Sequence, residues 1–267
     1  MKKYVQEATD ENIWTSIKNN TFGRNKDIKD FIDGLELIDE SACISLDAKW
    51  GDGKTFFVRQ IEEVLKYVLA NQRADEENPI EKLPSYEYLK DNEMMAKIDL
   101  KHSYLPIYYN AWMYDNHSDP LMSLLLVMTK TCRGVYDTKI DSEKISKKLV
   151  EALATLPISL GEFKANPFTA IEKLQGKSMD ILSLVQTEEE IRERVKGIFN
   201  DIIVERAQKL VIFIDELDRC RPSFAIEMLE RIKHYFDDER VIFVVSLNKE
   251  QLIPVSYTHL TLPTTSR

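Results

Sequence analysis

The chain has 267 residues, enough for one large domain with a real core, and a formal net charge of −9. Such a surface repels phosphate backbones and anionic lipid in bulk, so non-specific nucleic-acid binding is not the default. The three cysteines, Cys43, Cys132 and Cys220, are far apart, and the four histidines are scattered; neither set has the spacing of a metal site or a disulfide framework. Free thiols in a reducing cytoplasm are the plain reading.

The first residues, 1–14, are polar and lack the apolar segment of a signal peptide. Residues 1–40 read as a short helix-rich start. Within them Ile28, Phe31, Ile32, Leu35 and Ile38 recur three and four apart and make one apolar helix face. Residues 42–46 then predict a short buried strand, 49–53 a turn, and 54–69 an amphipathic helix. Strand, glycine turn and helix form the opening half of a βαβ unit. Residues 71–101 are charged, carry Pro79 and Pro84, and read as a polar, partly helical insertion without chemistry of its own. A second strand over 105–109 leads into Asn110, Ala111 and Trp112.

Residues 119–207 read as several helices, with 188–206 the clearest. The longest apolar run, 121–128, is interrupted by Ser123 and falls far short of the ~20 residues that span a bilayer. The third strand, 209–214, is apolar from Leu210 onward, as expected for a strand covered on both faces of a parallel sheet. Asp215, Glu216, Leu217 and Asp218 follow it, then a helix over 223–235 and a fourth strand over 241–247 that ends in Asn248. The fold class expected is α/β: a parallel sheet flanked by helices, with a large helical insertion at about 113–207. The run 255–264 reads as an in-frame translation of a transposase-type sequencing adapter. Natural sequence is therefore expected to end near Ile253, so that 1–253 form a single domain incomplete at its C-terminus; a genuine frayed terminus is the alternative.

Two stretches carry chemistry. The first runs from Ala48 to Thr55 and fits the last three positions of the phosphate-loop pattern GxxxxGK[ST], with Ala48 at the first glycine. Gly51 and Gly53 let the backbone curl around phosphates with its N–H groups inward, and the helix N-terminus adds partial positive charge. Lys54 can reach the β- and γ-phosphates, and the Thr55 hydroxyl can sit on Mg²⁺. Trp50, Asp52 and Phe56 complete the expected nucleotide-binding set, although packing is the commoner role for Trp50 and also for Trp112. Asp52 adds negative charge unless it faces solvent. Ala48 is tolerable in an ordinary backbone region and costly at positive φ. The bland alternative is a chance turn between a strand and a helix.

The second stretch is the end of the third strand. Asp215 would hold Mg²⁺ through a water, and Glu216 would act on the attacking water as general base or orienting group. Adjacent carboxylates after an apolar strand are hard to bury without a function; the alternative is an ordinary solvent-facing turn. Arg219 either approaches phosphate or pairs with Asp218. Asn248 either senses the γ-phosphate or caps a turn. No guanine-specifying NKxD segment is present: Asn248 and Lys249 come nearest, but Gln251 stands where Asp is required.

The segments 50–55, 109–112 and 213–220 together resemble the KAP family of P-loop NTPases, over about residues 20–253. The resemblance implies an additional strand between the phosphate-loop strand and the Asp215 strand, with 241–247 the candidate. It implies ATP and Mg²⁺ as ligands, a protein partner of unknown identity, and for bacterial members an association with phage exclusion. Some members carry inserted transmembrane helices; none is visible here, so a cytoplasmic protein is expected, with peripheral membrane association left open. Three functions follow: an ATP-hydrolysing conformational switch, a nucleotide-binding interaction module with little turnover, and, lowest, a small-molecule kinase, for which no Arg-rich lid is evident.

Overall fold

The structure is a computed structural model, and it describes residues 7–75, 79–117, 119–134, 193, 195–197, 199–200, 207–235 and 238–250. Four parallel strands, β1 (Ala42–Asp47), β2 (Tyr104–Asn110), β3 (Lys209–Asp215) and β4 (Val241–Leu247), form one sheet in the order β1-β4-β3-β2. The strand over 241–247 thus lies between the phosphate-loop strand and the Asp215 strand, as the resemblance implies. β3 and β4 are buried at every position because helices cover both faces, which explains their unbroken apolar character. The register sets Asn110 beside Asp215 and Asp47 beside Leu247, so the C-terminal ends of the strands share one edge.

On one face α1 (Asp10–Lys18), α2 (Asn25–Leu35) and α3 (Lys54–Gln72) bury Ile17, Ile32, Ile61 and Leu65 against Val211, Phe213, Ile242 and Val244. The face predicted for the second helix holds: Ile28, Ile32 and Leu35 are buried, and Phe31 and Ile38 pack against the same core. On the other face α5 (Pro120–Gly134) and α6 (Pro222–Tyr235) set Leu124, Met128 and Met228 against Ile212, Ile214, Phe243 and Val245. Burial of one such side chain stabilises the fold by about 1.5–3 kcal/mol.

The segment 71–101 departs from the polar insertion expected. It carries α4 (Tyr86–Leu89) and buries Leu89, Met94 and Leu100 in the same core as α1 and α3. Asn92 Nδ2–H donates to the Ile17 carbonyl at 2.8 Å and ties the segment to α1. The apolar residues are spaced for irregular turns, so no single period reveals them. Of the expected insertion at 113–207, the described residues include α5 and helical residues near 195–200, whose Val195 and Phe199 join the β3 core. Most of that insertion beyond 134, most of the helix expected at 188–206, and the tail 254–267 lie outside the described residues. No helix among the described residues is long and apolar enough to cross a membrane.

Candidate functional site

The loop between β1 and α3 has the backbone that its glycines permit. Gly51 has φ +91° and Gly53 φ +80°, left-handed values that L side chains rarely adopt. Ala48 is not among the positive-φ residues, so its replacement of glycine carries no backbone strain. Its N–H donates to the Leu247 carbonyl at 3.3 Å, which ties the loop to β4. Asp52 is exposed, and its Oδ2 accepts the Lys49 N–H at 3.0 Å, so its charge is spent on holding the turn. Lys54 folds back over the loop: its Nζ donates to the Ala48 carbonyl and, at 3.3 Å, to that of Lys49. Both acceptors are ones that a phosphate oxygen can replace.

The Asp215 carboxylate is buried, at 1 % exposure, and each of its oxygens accepts one hydrogen bond. Its Oδ2 accepts from the Tyr108 hydroxyl at 3.0 Å and its Oδ1 from the Glu216 N–H at 2.9 Å. Burial, together with the neighbouring Asp215 charge, pushes the Tyr108 phenol well above its ordinary range, so it remains a donor. Arg59 of α3 lies over the Tyr108 ring, 4.8 Å from its centre, and is itself held by Glu62 and by Asp10 at 2.7 Å.

Glu216 follows in a left-handed backbone, φ 60° and ψ 27°. A non-glycine residue there costs on the order of 1–3 kcal/mol and persists only where its surroundings enforce it. They do so through both carboxylate oxygens: Oε2 accepts from Asn110 Nδ2–H at 3.0 Å, and Oε1 pairs with the Arg219 guanidinium at 2.9 Å. The pairing of Arg219 with Asp218 does not form; its partner is Glu216, it lines the cavity, and its guanidinium lies 6.0 Å from the Trp112 ring centre. Asp218 instead accepts the Trp50 Nε1–H at 2.6 Å, a bond that joins the phosphate loop to the turn after β3. The packing role expected of the two tryptophans does not hold: Trp50 and Trp112 are 57 % and 55 % exposed. The bond to Asp218 accounts for Trp50 at the surface, and Trp112 has the Arg219 guanidinium beside its ring.

Behind the turn, the Cys220 thiol donates to the Glu216 carbonyl at 3.6 Å, and burial with nearby Asp115 pushes its pKa up to about 12, so it stays a neutral thiol. Asn248 is buried and accepts the Glu250 N–H at 3.1 Å, the turn-capping geometry.

Trp50, Gly51, Asp52, Gly53, Lys54, Thr55 and Phe56 line one cavity of about 590 Å³ with Asp215 and Glu216. That volume lies within the range of ligand pockets. All nine residues predicted for the site thus meet at one cavity. Sequence reasoning missed its third wall, Ala8, Thr21, Phe22 and Arg24. Arg24 donates to the carbonyls of Asp52 at 2.9 Å and Gly53 at 3.2 Å, and clamps the loop from outside. Tyr108 and Asn110 were also missed as partners of the carboxylates; the strand register alone carries that signal.

The residues present suit Mg²⁺. Thr55 lines the cavity beside Asp215, whose oxygens retain lone pairs for an outer-sphere water. No cluster of three or more His, Cys, Asp or Glu side chains able to hold a metal occurs among the described residues. A cation that takes one or two protein ligands plus phosphate oxygens requires none.

A glycine-shaped loop at a helix N-terminus, set against a buried carboxylate two strands away in a parallel sheet, defines the P-loop nucleotide-binding class. The sequence pattern of the KAP family P-loop domain matches residues 24–261, and the chain belongs to that family. It is also similar to an uncharacterized protein of Methanocaldococcus jannaschii, with 26 % identity over 173 residues, covering 53 % of this chain and 89 % of that one.

Proposed function

We propose that this chain binds ATP with Mg²⁺ and hydrolyses the β,γ-phosphoanhydride as a conformational switch. The observation that carries the reading is the convergence of Lys54, Thr55, Asp215 and Glu216 on one cavity. Lys54 exchanges the Ala48 and Lys49 carbonyls for β- and γ-phosphate oxygens. Mg²⁺, held by Thr55 and through water by Asp215, would neutralise charge on the phosphates. Glu216 takes a proton from the attacking water, whose oxygen bonds to the γ-phosphorus as the bond to the β,γ-bridging oxygen breaks; ADP, phosphate and a proton result. Each Glu216 oxygen has one protein partner and keeps a lone pair for that water; release of Asn110 or Arg219 as the water is engaged would be the conformational step of the switch.

Calorimetry of Mg-ATP binding beside Lys54→Ala tests the phosphate site, and phosphate release beside Glu216→Gln tests hydrolysis. Micromolar binding lost in the Lys54 variant, with turnover lost in the Glu216 variant, supports the switch. Equal binding in wild type and Lys54→Ala would overturn it. The second reading, a nucleotide-binding interaction module with little turnover, is favoured by one observation: both Glu216 oxygens already accept protein donors. Under that reading Glu216→Gln leaves ATP-dependent partner binding unchanged and removes no measurable turnover.

A further inference from the structure

Among the described residues, three aromatic side chains line the cavity: Phe22, Trp50 and Phe56. Two have other employment. Trp50 is bonded to Asp218, and Phe56 packs against the core beneath α3. Phe22 belongs to neither hydrophobic cluster and is 88 % exposed. Its backbone is left-handed as well, φ 62° and ψ 15°, a region that bulky residues rarely occupy. A phenyl ring in water on a strained backbone is doubly unfavourable, and strain of this kind gathers at ligand clamps.

The segment is fixed to the phosphate loop. Arg24, two residues on, holds the Asp52 and Gly53 carbonyls, and Asn20 Oδ1 accepts the Asn25 N–H at 3.0 Å. The Phe22 ring is thereby set at a defined place beside the loop rather than on a loose arm.

We propose that Phe22 is the platform on which the nucleobase of the bound triphosphate stacks. This rests on the nucleotide reading above. With the γ-phosphate directed to the carboxylates after β3, the base leaves the cavity by another wall. The Thr21–Gly23 turn is the wall that presents an aromatic without a packing partner in either cluster. Every nucleobase has a π-face, so such a platform favours nucleoside triphosphates over bare polyphosphate and discriminates little among bases.

The test is calorimetry of Mg-ATP and of Mg-tripolyphosphate on wild type, Phe22→Ala, Phe22→Trp and Lys54→Ala. Phe22→Ala is expected to weaken ATP about tenfold, within the span of base–aromatic stacking, and to leave tripolyphosphate within about twofold; Phe22→Trp restores ATP. Lys54→Ala weakens both ligands. Equal loss of both in Phe22→Ala, no loss of ATP, or failure of tryptophan to restore it overturns the platform. Wild type that binds ATP no more tightly than tripolyphosphate overturns it while the phosphate site stands. Wild type that binds neither overturns the phosphate site itself, and the platform with it.

Discussion

In the phosphate loop after β1 the positive φ values fall on glycines, whereas in the turn after β3 the positive φ falls on a glutamate that side chains must hold. In the loop, Gly51 and Gly53 supply the positive φ values, Asp52 ties back to Lys49, and Lys54 to Ala48. In the turn, Glu216 has a positive φ without being glycine, and it is held by Asn110 from β2 and by Arg219. A shape that the local chain supplies is ready for its ligand. A shape enforced against local preference from outside stores strain and can be released when the partners change.

The largest expected effect breaks the glycine-shaped wall. Lys54→Ala should weaken Mg-ATP about a hundredfold by calorimetry, the loss of charge-assisted bonds to two phosphates, with the thermal midpoint little changed. Next, on the enforced wall, Glu216→Gln should lower phosphate release about a hundredfold or more and spare ATP affinity, because it removes the proton acceptor and keeps the side chain's shape.

Asn110→Asp sharpens the comparison. Aspartate keeps the acceptor for the Met113 N–H at 3.2 Å, so the turn Ala111–Tyr114 keeps its cap, but it replaces the donor to Glu216 with a negative charge. Loss of that donor and the like charge placed beside Glu216 should lower phosphate release about tenfold and spare ATP affinity. Unchanged phosphate release would mean that Asn110 shapes only the turn. Gly53→Ala should destabilise the fold by about 1–2 kcal/mol in a denaturant titration, because φ is +80° and the new Cβ would meet the Arg24 guanidinium at 3.1 Å. Smallest, Trp50→Phe deletes one hydrogen bond between the walls, and the denaturant midpoint should report a loss of about 1 kcal/mol or less.

The same contrast explains what the sequence made legible. The strands over 209–214 and 241–247 announce themselves because burial on both faces demands unbroken apolar residues, and the structure keeps those spans, with one more residue at Asp215. The phosphate loop is legible because glycine and lysine at fixed spacing are its mechanism. The partners of Asp215 and Glu216 are not legible in this way. Tyr108 and Asn110 lie more than a hundred residues upstream and reach the carboxylates only through the β2–β3 register. Arg24 and Phe22 precede the motif, and nothing in the period of α2 marks them as part of the cavity. The exposed tryptophans ran against expectation because an indole N–H that finds Asp218 can stay at the surface.

Arg59 sits one and a half turns into the helix whose first residue is Lys54, and it leans on the Tyr108 ring whose hydroxyl fixes Asp215. One rod therefore carries Lys54 at its tip and braces the Tyr108–Asp215 pair along its flank. By thermodynamic reciprocity, whatever favour triphosphate does for cation affinity through that rod, the cation returns in equal measure to the triphosphate. Comparing that mutual coupling in wild type and in Arg59→Ala, which keeps any direct contact of cation with phosphate but removes the brace on Tyr108, would isolate the part carried by α3.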